Sequence, residues 1–485
     1  MTSAPNLPSG PRPFSPRDIR TLTVDVAGPV FLPGDDGYAE EATGFNRVVT
    51  HRPAVIVGAA DAADVLSAVR FAGRYGRPVA VLATGHGPTG DVPEDAVMIT
   101  TRRMTGLSID AGERTVRVEA GVRWQQVVAE AAVHGLAPLV GSAADVGVVG
   151  YTLGGGLSVT MGRAFGWAAD HVQWIDLVTA DGELRHASRD SEDDLFWALR
   201  GGKGNFGVVT AMEFSLFPVT QLYAGALYFS GDDAREVLHA YQRFTTTAPE
   251  ELMSSAVLLR LPDLPTLPDF MRGRLTAAVR FSWLGSEADG EELIAPLRAA
   301  APVLLDTVTP RPFTEFDAIS VDPPDGISSV EHFAVLDEVT PETIDALLEV
   351  AGPESDARVN VVDLRQLGGA LSRYSGAPNV VGTRDAAFAV FAFAFVPPGE
   401  DPDGYRTVGS EVMERLEPWL SVRKHTNFLG ADDVTSERVR LAFDAPTYAR
   451  LQEIKAARDP GNMFRLNHNI PPAGSGAGVG SGSGS

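Results

Sequence analysis

A chain of 485 residues is longer than one compact core organises, so two or three domains are expected, and 44% apolar with 21% charged residues is the composition of a folded globular protein. Lys and Arg number 40 against 63 Asp and Glu, a formal net charge of −23 that repels phosphate backbones and sets nucleic acid aside as a partner. The absence of cysteine removes disulfides, thiolate metal sites and cysteine nucleophiles; the proline-rich start carries no basic-then-apolar signal, no stretch of about 18 apolar residues exists, and a soluble, cytoplasmic protein without a membrane partner is expected.

Residues 1–45 read as an N-terminal arm. The apolar run Pro53–Val57, the helical spacing of Val65, Leu66, Val69 and Ala72 before Gly76, and a second run Val79–Ala83 make a β-α-β unit. The second run ends in Thr84-Gly85-His86-Gly87-Pro88-Thr89, a turn presenting one imidazole between two glycines. Glycine admits backbone conformations closed to other residues and lets a ligand approach the main chain, and successive amides in such a turn can cradle an anion. No helix follows directly, which excludes a Rossmann crossover. Strands Val97–Thr100 and Thr115–Glu119 come next, then a helix Trp124–His134 ending at Gly135.

Residues 141–156 hold six glycines in sixteen positions together with Val146, Val148, Val149 and Leu153. Such a composition suits main chain packed against something large and flat; a ligand-free glycine loop is the alternative. A hairpin follows, Val172–Thr179 and Glu183–Ala187 around Asp181-Gly182. A helix opens at Ser191 with an acidic first turn. Gly202, Gly204 and Gly207 match a dinucleotide fingerprint by letter, yet a helix precedes them and the strand Val208–Thr210 follows, the reverse of the required context.

From about Leu222 the pattern is of longer strands and amphipathic helices: Ala234–Phe244, Leu275–Trp283, Glu291–Ala301, Thr340–Val350, Val359–Leu364 and Phe388–Phe395, with proline-rich stretches at 262–268 and 309–324. This predicts a second α+β domain, an antiparallel sheet covered by helices. A helix Tyr448–Ala457 stops before Asp459-Pro460-Gly461-Asn462, the segment Phe464–Ile470 carries Asn467 and Asn469, and residues 473–485 read as a flexible Gly/Ser tail.

Four segments combine: the Gly85-His86 turn; Leu153-Gly154-Gly155-Gly156; Asp193 to Gly202 with Asn205-Phe206-Gly207-Val208-Val209-Thr210; and Asp459-Pro460-Gly461-Asn462-Met463-Phe464. Together they resemble the FAD-linked oxidases of the vanillyl-alcohol oxidase superfamily, berberine-bridge-enzyme-like branch, over residues 45–220 and 330–472. The resemblance implies an α+β chain: a two-subdomain FAD-binding (PCMH-type) domain at 46–220, an inserted substrate-binding domain at 221–424, and a segment 425–472 returning to the FAD domain.

It implies FAD bonded through His86 alone, because the cysteine that makes a second bond in many relatives is matched by Ala143. Thr84, Gly85, Gly87, Pro88 and Thr89 would cradle the pyrophosphate. Ser142, Gly147, Gly150, Gly154, Gly155 and Val209 would line the rest of the cofactor, with Asn467 and Asn469 closing the site. Where relatives carry Tyr-x-Asn-Tyr this chain has His425-Thr426-Asn427-Phe428, and the strand position that holds a carboxylate or amide in plant relatives counts to Ala392. His425 therefore becomes the candidate base, since a free imidazole titrates near about 6.5, with Asp363 to orient it and Tyr374 to hold substrate. On a strand, the spacing from His425 to Phe428 would put the two rings on opposite faces.

No metal is implied. The activity implied is that of an FAD-dependent oxidase moving a hydride from a C–H bond of a small, bulky, neutral organic substrate, an alcohol of a natural product or sugar, to flavin N5, with O2 reduced to H2O2. A flavin-containing cyclase or rearranging enzyme of secondary metabolism without net oxidation is one alternative, and a non-catalytic flavin-binding protein another.

Overall fold

Three sheets organise residues 14–475, the part of the chain that the computed structural model describes. The first contains β1 (Val30–Phe31), β2 (Val55–Gly58), β3 (Val79–Leu82) and β4 (Val97–Thr100) in the order β1-β2-β4-β3, with β4 parallel to both β2 and β3. Parallel strands need a crossover, and the helix Ala62–Arg74 supplies it. Asp61 caps that helix by accepting the Ala63 and Asp64 amides, and Val65, Ala68, Val69 and Ala72 at helical spacing are buried beneath it.

The arm is not separate from this unit. A helix Pro16–Asp25, begun by a capping box at Ser15, sends Leu22 into the core, and β1 adds an antiparallel edge to β2. Asp64 fixes the join by accepting the Ala27 and Gly28 amides at 2.7 and 2.9 Å. No periodic signal is legible there because one short helix and a two-residue strand carry too few apolar positions. Residues 1–13 and 476–485, most of the expected Gly/Ser tail, lie outside the described part of the chain.

The second sheet is antiparallel, with β5 (Leu107–Asp110), β6 (Thr115–Glu119), β7 (Val172–Val178), β8 (Leu184–Ser188) and β9 (Val208–Ser215) in the order β5-β6-β9-β7-β8. It shares one apolar core with the first sheet. Between β6 and β7 the glycine-rich segment forms a short helix, Val148–Leu153, followed by Gly155 and Gly156 at φ +112° and +73°. A Cβ on Gly156 would stand 2.6 Å from that of Ala168, so the bare backbone is a packing requirement as well.

The third sheet is built from β10 (Gln221–Ser230), β11 (Leu252–Arg260), β12 (Leu275–Trp283), β13 (Val303–Asp306), β14 (Thr309–Pro312), β15 (Ser329–Leu336), β16 (Val361–Gln366) and β17 (Phe388–Phe395). Its order is β13-β10-β12-β11-β16-β17-β15, with β14 also on β10, and every pair is antiparallel. Side chains alternate between faces. One face, with Leu258, Val279, Val362, Leu364, Val390 and Ala392, is covered by the helices Ala234–Thr245, Glu287–Arg298, Pro341–Ala351 and Asp403–Leu416. The other, with Phe333, Phe391, Asp363 and Arg365, turns toward the glycine-rich segment, where Leu157 and Trp167 pack against Phe333 and Ala389.

The C-terminal helix Ala445–Arg458 returns to the first core. Lys455, fully buried, donates to the Asn205 carbonyl at 2.6 Å, to Asp459 Oδ2 at 2.7 Å and to the Phe464 carbonyl at 3.2 Å. Asp459 also accepts the Met463 and Phe464 amides, and Asn205 donates to the His468 carbonyl. The Asn205-Phe206-Gly207 and Asp459-Pro460-Gly461-Asn462 motifs are thus two halves of one clasp.

Candidate active site

The turn after β3 is held from both sides. The Thr84 and Gly85 carbonyls accept the Phe45 and Asn46 amides at 2.8 and 3.0 Å. Gly85 has φ +72°, and a Cβ there would come 2.5 Å from Gly44 Cα, so no other residue fits. At Gly87, by contrast, a Cβ would meet nothing within 4 Å. The His86 ring lies flat on Phe45 (centroids 3.9 Å apart, planes 14° apart) and Nε2 stands 3.2 Å from Asp145 Oδ2 without a directed hydrogen bond. Burial pushes the Asp145 carboxyl up, but the contacts to His86, its own backbone and Arg123 outweigh that and hold it below the usual carboxylate range. Phe45 and Asp145 were not legible as partners of His86, because each comes from a distant part of the sequence.

Thr84 Oγ1 accepts the Gly147 amide at 3.2 Å, which joins the His86 turn of the first sheet to the glycine-rich segment of the second. Ser142 lies in the turn leading to Gly147, Gly150 presents an open side within the helix Val148–Leu153, and Val209 is buried on β9 opposite Leu177. Pro88 and Thr89 continue the His86 turn. Gly154 and Gly155 face the C-terminal segment: a Cβ on either would strike Asn427 Nδ2 at 2.4 Å or His425 Cε1 at 2.9 Å. Asn467 donates to the Gly204 and Phe464 carbonyls. Beside it Lys203 Nζ lies 3.3 Å from His468 Nδ1, and burial pushes the lysine down to about 8.

Several buried polar atoms at these positions have no hydrogen-bond partner among the described residues: Tyr151 Oη, Asn467 Oδ1, Asn469 Oδ1 and His86 Nε2. Leaving such a group unsatisfied costs roughly 1–3 kcal/mol. A large polar cofactor bound between the two glycine segments would supply partners, and the open flanks of Gly87 and Gly150 admit it. The residues present therefore fit FAD.

The proposed catalytic trio does not assemble. His425 is buried, its Nδ1 is 3.1 Å from Thr383 Oγ1 and its Nε2 is 3.2 Å from Asn427 Oδ1, so both nitrogens are engaged. Burial drives its pKa down to about 3, which removes it as a base near neutrality. Its task is to fix Asn427, whose Oδ1 accepts the Gly156 amide at 2.7 Å and whose Nδ2 donates to the Tyr151 carbonyl at 2.8 Å. The segment is a tight 3-10 turn, Thr426–Phe428, and so His425 and Phe428 lie 5.8 Å apart instead of on opposite faces.

Asp363 faces Arg280 Nη1 at 3.0 Å and Arg365 Nη2 at 2.8 Å; its partners are these guanidiniums and not His425. Burial pushes its carboxyl up, and the two arginines more than reverse that. Tyr374 is 51% exposed, with Arg384 stacked on its ring, and belongs to the surface. Ala392 points at the covering helices, because Phe391 and Phe393 occupy the inner face, so it presents nothing to that face.

What the sequence reading missed on this inner face is Glu331. It lies opposite Phe393 on β15, Ser329 Oγ donates to its Oε1 at 3.2 Å, and burial pushes its pKa up to about 7. The alternation of Ser329, Glu331 and Phe333 with Val330 and His332 is the signal that could have found it. Asn46 also acts on Glu331 and donates to the Ser329 carbonyl and Oγ, which links the acid to the backbone beside Phe45 and His86.

The family model described as FAD binding domain matches residues 53–188, and the model described as berberine and berberine-like matches residues 427–471. The (R)-6-hydroxynicotine oxidase of Paenarthrobacter nicotinovorans is 27% identical over 478 residues, covering 93% of this chain and 98% of its own. The FAD-linked oxidoreductase YgaK of Bacillus subtilis is 26% identical, covering 92% of this chain and 97% of its own. Among solved structures, 6-hydroxy-D-nicotine oxidase from Arthrobacter nicotinovorans has a TM-score of 0.78 at 25% identity, covering 92% of this chain and 98% of that one. A carbohydrate oxidase from Microdochium nivale has a TM-score of 0.80 at 18% identity, covering 94% and 99%, a likeness of fold.

Proposed function

The chain belongs to the berberine-bridge-enzyme-like branch of the vanillyl-alcohol oxidase superfamily of FAD-dependent oxidoreductases, and on that premise we propose that it is an oxidase of a small organic alcohol that tethers FAD through His86 and returns electrons to O2 as H2O2. The observation that carries this reading is the His86 turn, an imidazole clamped between a ring and a carboxylate with a buried nitrogen left unsatisfied. When bound, FAD supplies the hydride acceptor at N5 and the route to O2.

The chain's own residues supply binding and proton handling. His86 is the attachment point, Asp145 orients it, and Ala143 offers no sulfur for a second bond. The amides of Thr84, Gly85, Gly87 and Thr89 suit a pyrophosphate, and Asn467 and Asn469 present acceptor oxygens from the C-terminal segment. Glu331 takes the role first given to His425: a carboxyl with a pKa near 7 on the inner sheet face is suited to accept the hydroxyl proton of an alcohol at Oε. Phe333 and Phe428, stacked 4.2 Å apart, exclude water beside it.

The test has two parts. Acid precipitation of the purified protein should leave the yellow colour in the pellet; a colourless pellet overturns the tether. Protein reduced with dithionite, freed of excess reductant under anaerobic conditions and then exposed to air should regain its visible spectrum with formation of about one H2O2 per flavin, and a flavin that stays reduced for many minutes overturns the oxidase.

A further inference from the structure

The inner face of the third sheet divides into two chemical zones. In one, Phe333, Phe391 and Asp363 stand in a single cross-strand row, with Phe428 stacked on Phe333. In the adjacent row, Arg280 and Arg365 both flank Ser255, and Asp363 Oδ2 receives a donor from each arginine. Around Asp363 two guanidiniums thus stand against one carboxylate, while the second acid of this face, Glu331, lies on β15 opposite Phe393.

The two arginines are not equivalent. Arg280 has both ends of its fork engaged, donating from Nη1 to Asp363 and from Nη2 to the Ser320 carbonyl at 3.1 Å. Arg365 spends Nη2 on Asp363, and among the described residues its Nε and Nη1 have no acceptor, although its side chain is only 13% exposed. Arg200, a buried arginine of the FAD-binding half, behaves otherwise: all three of its nitrogens donate, to the carbonyls of Phe196, Ala377 and Pro378. Arg365 instead lines a pocket with Arg280, Asp363, Ser255 and Val159, and its charge acts on Tyr151 of the glycine-rich segment, whose hydroxyl is also unsatisfied.

A largely buried guanidinium with free donors is the arrangement that binds a carboxylate by paired, charge-assisted hydrogen bonds. We propose that the substrate carries an anionic group, a carboxylate in the first instance, seated on Arg365 with its apolar or aromatic body against Phe391 and Phe333. This replaces the neutral substrate expected from sequence and rests on the oxidase reading above, since it names the substrate class of that same site. Arg365 is then a specificity-determining residue, and Asp363 the group that fixes its orientation.

Calorimetric titration of the FAD-loaded protein with phenylacetate and 3-phenylpropionate, each paired with its amide, tests this without knowledge of the natural substrate. In the wild-type protein the carboxylates should bind at least about tenfold more tightly than the amides. R365M should abolish that preference while the visible flavin spectrum is kept, and R365K should restore part of it. Equal binding of acid and amide, no detectable binding of either carboxylate, or a preference that survives in R365M overturns the proposal. The wild-type arm needs no variant, so a misfolded R365M does not blunt it. Failure here with normal air reoxidation of reduced flavin removes only the anionic substrate, whereas failed reoxidation removes the oxidase reading and leaves the binding result standing.

Discussion

Two polar centres lie buried in the FAD-binding half of the chain, and they differ in one respect. At Lys455 every donor has an acceptor: a carboxylate and two carbonyls close the ammonium off, and Asp459 is in turn filled by two amides. At the seam between the His86 turn and the glycine-rich segment, an imidazole nitrogen, a phenol and two amide oxygens stay open. Both centres are built from recurring motifs, and either could pass for a functional site in the sequence. The closed one is fold; the open one is where a ligand belongs, because a protein that leaves several buried polar groups unsatisfied gains stability only when something fills them.

That contrast can be broken in order of effect. K455M should cost about 3–5 kcal/mol, since it strands Asp459 and the Asn205 carbonyl, and urea denaturation reads it directly. E331Q should lower kcat/KM by roughly 10²–10⁴-fold and remove an ascending limb near pH 7 from its pH profile. The sign of its stability effect is opposite to that of an ordinary ion-paired carboxylate. With a folded pKa raised to about 7, Glu331 is neutral and harmless at low pH, and native stability falls as pH rises from the usual carboxylate range through 7. E331Q should flatten that fall in thermal midpoints measured across pH 4–8.

H425A should cost about 1–3 kcal/mol through the loss of Asn427's anchor, with no imidazole limb disappearing from the pH profile. Loss of such a limb would return His425 to the chemistry. H86A should leave stability within about 1 kcal/mol when the apoproteins are compared, yet turn the acid-precipitated pellet colourless. Y374A should change neither activity nor the unfolding midpoint beyond about 0.5 kcal/mol, as a surface residue would.

Much of this is legible in the sequence. The β2–helix–β3 unit follows from apolar spacing, and the His86 turn follows from glycines that only a special backbone demands. Partners across long sequence distances were not readable: Phe45 and Asp145 flank His86 from residues 41 before and 59 after it. Burial was equally invisible, and it is burial that turns His425 from a base into a brace and Glu331 from a surface acid into a candidate base. The face taken by Ala392 follows from the period of a strand, on which neighbouring residues point to opposite sides of the sheet.

The clasp has a further consequence for how the protein is made. Asn205 takes its partners from His468 and Ile470, and Lys455 reaches forward to Phe464, so the wall beside Gly204 is completed by residues near the far end of the chain. A polypeptide emerging from the ribosome has both glycine segments long before it has that wall. A chain cut before Phe464 would lack that wall, and such a truncation should hold flavin less tightly than the chain that carries residues 464–470, as the visible spectrum after gel filtration would read.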